Sequence, residues 1–417
     1  MGATLLDSTD PLAVRPAIAR QAVLDRRDRV VGYRLVLGAD GGDGPDPAHV
    51  AGPLLVEALT GIGLNHVVGR RPAHVRVDRR FLLDQHAFAL PAERVVLELD
   101  GIDGDDAPLR VVLERLAQAG HRLTLHVRPA APPPDPALAR LLDGVAVDVR
   151  ALNGAELDAV ARRLSRVAPT LVATGVDTPA LHARCRAAGF DRFEGAFFRT
   201  PDLLRSHAPP TSRLGELRTL AGLYAPGLAF EEFERIIVRD PGLSYRLIAY
   251  LNSAFFNLPR HVASVREALM MLGMRAVRRW ATLVALSGDA DKPHELTVAA
   301  LVRGRLCELV GRRRPTPRAG PDAYFTVGVF SLADAMTDTP LEEVIAPLPL
   351  RAESRAALLS HAGPMGDALA AAIAWERGEL ATAQRRLPDV PLGELYLHAL
   401  QWADAASGAL GAELAPD

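Results

Sequence analysis

The 417-residue chain predicts two architectures in series, an α/β barrel of the (β/α) TIM type followed by an all-α bundle. Three observations carry this expectation. Up to about residue 200, short β-branched runs alternate with helical patterns, as a parallel β/α sheet requires. Seven strand-like runs fall in that length and no glycine-rich phosphate loop follows an early one, which favours a closed barrel over a doubly wound sheet. After Ser206–Thr211 (SHAPPT) no convincing strand occurs and helix-period apolar patterns run to the end. The expected domains are therefore 1–205 and 206–417, each near the size of one core.

In order, the strand candidates are Arg29–Leu37, His74–Asp78, Arg94–Asp100, Arg122–Val127, Gly144–Val149, Thr170–Val176 and Arg192–Phe198. Helical patterns separate them at Pro47–Ile62, Leu109–Ala119, Ala155–Arg166 and Pro179–Ala188. GADGGDGPDPAH (38–49) reads as a solvated turn without the spacing of a calcium loop. PAAPPPDP (129–136) reads as a rigid spacer. In the second half, Asp240-Pro241 is an N-cap followed by proline at the first helical position. Ser264 and Glu267 form the capping-box pattern of a helix ending at Gly273, and another helix follows at once with Val277 and Trp280 on its apolar face.

Composition narrows function by exclusion. Hydrophobic residues are 49% and charged residues 24%, and the net charge is −2, which gives no electrostatic reason for non-specific nucleic-acid binding. No run approaches the roughly 20 apolar residues of a membrane span, and the N-terminus lacks a signal-peptide organisation, so a cytoplasmic location is expected. Cys185 and Cys307 are too few and too far apart for a metal knuckle and read as buried thiols. Lys292 is the only lysine, so lysine chemistry has one candidate.

The first half resembles the EAL family, the cyclic di-GMP phosphodiesterases. ARQAVLDRRDRVVGYRLVLGA (19–39), RVVLELD, Gly120–Leu125, VAVD, ATGVDT and AGFDRFEGAFFRTP keep the family's order and spacing over about residues 12–203. The resemblance implies a barrel whose mouth would hold two hard cations on carboxylates, and this chain departs from that set. Arg34 stands at the position of the signature glutamate, Asp78 at the strand-end asparagine, and His126 and Val127 at the paired aspartates. Ala146 replaces the lysine, with Asp148 retained after it. Glu98 matches a retained glutamate, Asp177 falls at the last glutamate of the family's A-E-x-V-E, Glu194 replaces a glutamine, and Gly38 replaces a strand-end arginine. A cation at Arg34 opposes metal binding, so the expectation is a salt-bridged mouth with no metal and no cofactor.

The second half resembles the HDOD family, non-catalytic relatives of the HD-type metal phosphohydrolases, over roughly 214–405. RDPGLSYRLIAYLNSAFFNLPRHVASVREALMMLGMRAVRRWATLVAL, LVRGRLCELV, YFTVGVFSLADAM and IAWERGEL carry it. No His-Asp dipeptide occurs, and Asp334 alone cannot build a binuclear site. Arg275, Arg278 and Arg279 invite a helix-turn-helix reading, but the long apolar face of their helix favours a bundle corner whose arginines meet a protein and not DNA. Together the resemblances imply a non-enzymatic signalling or scaffold protein whose partners are other signalling proteins, with self-association compatible. The alternatives are a binding-only receptor for cyclic di-GMP or a related nucleotide, and a phosphodiesterase with a rearranged metal site.

Overall fold

A computed structural model describes residues 16–39, 63–102, 106–202, parts of 219–251, 262–286, 292–317, 319–346, 348 and 350–413. The helix expected at 47–62, most of the loop at 38–49 and the SHAPPT linker lie outside them.

Eight strands close a barrel in sequence order. They are β1 (Pro16–Asp25), β2 (Val30–Ala39), β3 (Ala73–Val77), β4 (Val95–Leu99), β5 (Arg122–Val127), β6 (Gly144–Asp148), β7 (Leu171–Thr174) and β8 (Arg192–Glu194). The sequence pattern showed seven parallel strands. The one it missed, β1, runs antiparallel to both β2 and β8, while all other neighbours are parallel. Its alternation is hidden because Ala17, Ala19 and Ala22 are weak strand formers and Arg20-Gln21 interrupts the apolar run.

Helices α1 (Leu64–Val68), α2 (Arg79–Leu83), α3 (Ala107–Gln118), α4 (Pro136–Ala139), α5 (Gly154–Leu164) and α6 (Pro179–Ala188) connect the parallel strands. Local chemistry starts them. Asn153 and Glu156 complete a capping box on α5, and Thr178 caps α6 with Pro179 directly after it. Gly195 is required at the end of β8: its φ is 155°, and a Cβ there would lie 2.0 Å from the Val176 carbonyl oxygen.

The rest is helical: α7 (Phe230–Val238), α8 (Val265–Leu286), α9 (His294–Arg313), α10 (Pro321–Phe330), α11 (Ala333–Thr337), α12 (Leu341–Ile345), α13 (Ala352–Ser360), α14 (Gly363–Glu376), α15 (Leu380–Arg386) and α16 (Leu392–Glu413). Asp240 accepts from the Leu243 amide at 2.9 Å, as an N-cap should. Ser264 accepts from the Glu267 amide at 3.2 Å, whereas the Glu267 carboxylate reaches past its own cap to the Ala263 amide at 3.1 Å. Gly273, at φ 75° and ψ 156°, breaks α8 where a helix end was expected.

The β1–β2 hairpin is the longest part of the sheet, ten residues per strand against three to six elsewhere. Its outer half carries no barrel neighbour and is held on both faces by the helices. Ala17 and Ala19 belong to the helical core with Trp375 and Leu380. Ile18, Leu35 and Leu37 share the barrel's outer core with Leu296, Ala300 and Phe325 of α9 and α10. Polar groups pin the same clasp. The Trp375 indole N–H donates to the Ile18 carbonyl at 3.0 Å. Arg20 makes two bonds to Asp404 at 2.8 and 2.9 Å, donates to the Val67 carbonyl, and stacks 4.2 Å over the Tyr33 ring. The Tyr33 hydroxyl donates to Glu295 at 3.0 Å.

Candidate functional site in the barrel lumen

Strand register decides which side chains meet inside the barrel. Gln21 pairs with Arg34, Arg34 with His74, Arg76 with Glu98, and Thr174 with Glu194, so these residues share the inward face. Glu98 lies at the centre. It is 1% exposed and is bonded on both oxygens, to His74 Nδ1 and to His126 Nε2, each at 3.1 Å. Burial alone would raise its carboxyl, but the hydrogen bonds from His126 and His74 hold it well below the ordinary carboxylate range.

Arg76 approaches the other nitrogen of His126 at 3.4 Å and Asp100 at 3.6 Å. A guanidinium can only donate, so His126 accepts on Nδ1 and carries its proton on Nε2, facing Glu98. Opposite, Arg34 NH1 stands 3.5 Å from Glu194 and its NH2 donates to Gln21. Glu194 is 2% exposed, and neither of its oxygens has a hydrogen-bond partner. Burial pushes its carboxyl up, the nearby Glu98 charge adds to that, and Arg34 pulls it part of the way back.

Of the positions singled out in the sequence, Arg34, Glu98, His126 and Glu194 converge in the lumen. The other three sit at its rim in local roles. Asp78, at the strand end, caps α2, accepting from the Phe81 amide at 2.8 Å, while Arg76, two residues earlier, is the β3 residue paired with Glu98. Asp148 binds Arg150, whose hydrogen bonds overcome the effect of burial and lower its carboxyl. Asp177 accepts from the Ala196 amide at 3.2 Å, tying β7's end to β8's. Sequence reasoning missed His74, Arg76 and Gln21. A period-2 count from the end of β3 would have found the first two.

The lumen is wired to the helices. Gln21 donates onward to the Glu376 carbonyl at 3.3 Å. The Glu376 carboxylate receives Arg303 of α9 at 2.7 and 3.0 Å and Arg199, just after β8, at 2.9 Å. Burial would raise Glu376, but Arg303 and then Arg199 bring it below the usual range. At the hairpin's outer end, a Cβ on Gly38 would lie 2.9 Å from Leu380 Cδ1.

Two hard cations do not fit this donor set. Each would need about six oxygen ligands, whereas the lumen offers two buried carboxylates already faced by Arg34, His74 and His126. Among the described residues, one group of donors lies close enough to share an ion: His74, Glu98 and Glu194, with one donor atom of each within 4.8 Å of the others.

In the helical region, Arg275 is 70% exposed at 3.6 Å from Asp322, whereas Arg278 is 14% exposed, near the same aspartate and 5.3 Å over the Phe233 ring. The Arg279 side chain is outside the described residues. Trp280 and Val277 are buried, which excludes their helix face from a DNA groove. No described helix is long and apolar enough to cross a membrane.

The family model of the HDOD domain matches residues 216–329. The chain is similar to the uncharacterized protein YuxH of Bacillus subtilis (strain 168), at 25% identity over 93% of this chain and 98% of that one. It is also 26% identical to the cyclic di-GMP phosphodiesterase CdgJ of Vibrio cholerae, over 84% of this chain and 83% of that one. Among solved structures it is similar to Klebsiella pneumoniae BlrP1 in a calcium and cyclic di-GMP complex, at 20% identity and TM-score 0.36, covering 43% of this chain and 54% of that chain. Residues 216–329 thus match the HDOD family model, and the strands that precede them close an eight-stranded barrel, the fold that the first half's motifs implied.

Proposed function

We propose that this chain is a non-catalytic protein of cyclic di-GMP signalling, in which a barrel domain (1–205) and a helical domain (206–417) act through contacts with other proteins. The observation that carries this reading is Arg34: a fixed cation within 3.5 Å of Glu194, at the position of the signature glutamate, opposes the binding of a hard-cation pair. Without that pair, water at the lumen has no activating Lewis acid and the leaving oxygen no neutralising charge. Two further features support it. Leu380 fills the space beside Gly38, where the family's strand-end arginine would reach for a ligand. Asp334 of the helical region, raised by burial, has no adjacent histidine to form a metal pair.

The interaction face proposed is α8, where Arg275 is joined by Met270 at 68% and Met271 at 45% exposure, unusual values for large apolar side chains. Arg278 contributes less because it packs on Phe233. The decisive experiment incubates the full chain with cyclic di-GMP and magnesium or manganese and follows linear product, with calorimetric titration of the same nucleotide. The reading expects neither turnover nor micromolar binding. Turnover overturns it in favour of a rearranged phosphodiesterase, and tight binding without turnover overturns it in favour of a receptor.

A further inference from the structure

The lumen has lost one kind of metal site, and the side chains that remain form the donor set of another. His74 presents a nitrogen from β3, and Glu98 and Glu194 present oxygens from β4 and β8, all within 4.8 Å and all at most 2% exposed. Glu98 is occupied by its two histidines. Glu194 is not. It is a buried carboxylate with no hydrogen bond on either oxygen, a costly state that an ion in front of it would relieve.

We propose that His74, Glu98 and Glu194 form a site for one borderline divalent cation of the Zn2+ class. Nitrogen plus two carboxylates is a set that Zn2+ accepts, with a fourth position left for water. Mg2+ is disfavoured because it demands near-octahedral oxygen coordination and gives up its waters reluctantly. The ring nitrogen of His74 that faces Glu98 is Nδ1. Coordination through Nδ1 puts the ion in the place of the present hydrogen bond to Glu98. Arg34 is the competitor, since an incoming dication must displace its charge from Glu194. The site shares Glu98 with the family's set and differs from it in its other two donors. His74 has no counterpart in the carboxylate set that the resemblance implies, Glu194 stands where the family has a glutamine, and the proposal stands whether or not the barrel is catalytic.

The test is calorimetric titration of chelator-treated full-length protein with ZnCl2 and, in parallel, MgCl2, with Co2+ as a visible-absorption reporter of a nitrogen-containing, low-coordination site. The expected result is one Zn2+ per chain at micromolar affinity or better, Co2+ bands, and no Mg2+ heat. His74→Ala and Glu194→Gln should each weaken Zn2+ by more than the roughly 10–100-fold typical of outer-sphere partners, and Arg34→Ala should strengthen it. Glu194→Gln keeps the side-chain shape, so the test survives if His74→Ala fails to fold. No stoichiometric Zn2+ binding, or an affinity unchanged in both ligand variants, overturns the proposal. So does an equal response to Mg2+.

Discussion

Replacing Glu295 by glutamine should change how stability depends on pH more than how much stability there is. Glu295 starts α9 and faces the Tyr33 hydroxyl in the clasp. Burial pushes its carboxyl from 4.5 up to about 7, and the attraction of Arg20 and the bond from Tyr33 offset only part of that. Between these values the folded protein holds a proton that the unfolded chain has released. Stability must therefore fall as pH rises across this window, by about 3 kcal/mol at roughly 1.4 kcal/mol per pH unit. Glutamine still accepts from Tyr33 but has no charge to bury. Urea denaturation of both proteins at pH 4.5, 5.5, 6.5 and 7.5 measures the difference. His121, His182 and His294, each lowered by burial, bend both curves the same way and cancel. The variant should gain about 3 kcal/mol on the parent between the two ends of the series. Parallel curves would refute the account of Glu295 as a buried, reluctantly ionised acid.

Three other outcomes are expected. Trp375→Ala should cost about 3–5 kcal/mol for the lost volume, with Trp375→Phe milder but still leaving the Ile18 carbonyl without its donor; calorimetry should show barrel and helices melting at lower temperature together. Gly38→Arg should destabilise by about 1–3 kcal/mol through overpacking on Leu380, and Leu380→Ala in the same chain should recover part of that, as a denaturation cycle would show. Burial holds the Cys185 and Cys307 thiols up at about 11 and about 12, so a thiol reagent at pH 8 should label neither in the native protein and both in urea.

The legible parts of the fold were those with local causes. Strand alternation placed seven strands, and the Ser264 cap and the Gly273 break placed helix ends within a residue or so. What escaped was set by distant partners. The alanines of β1 look unlike a strand until Trp375 and Leu380 are known to pack on them, because small side chains are what close approach requires. Arg20, beside them, reads as a surface charge although it is buried on Asp404, 384 residues away in sequence. In the lumen, Arg34, Glu98, His126 and Glu194 could be named from motifs, but His74 and Arg76 could not, because the motif on β3 marks its end and these two lie deeper on the same face.

The clasped hairpin bears on how such a chain can be rearranged over evolutionary time. The SHAPPT stretch (206–211) reads in sequence as a boundary between two modules that could be exchanged like beads. Yet β1 and β2, at the start of the chain, supply both faces of a joint whose other half lies in α9, α14 and α16. A recombination at the linker would leave each product with an apolar scar fitted to a lost neighbour. The heritable unit here is the pair, and a helical module moved to a new barrel would have to bring a matching first hairpin with it.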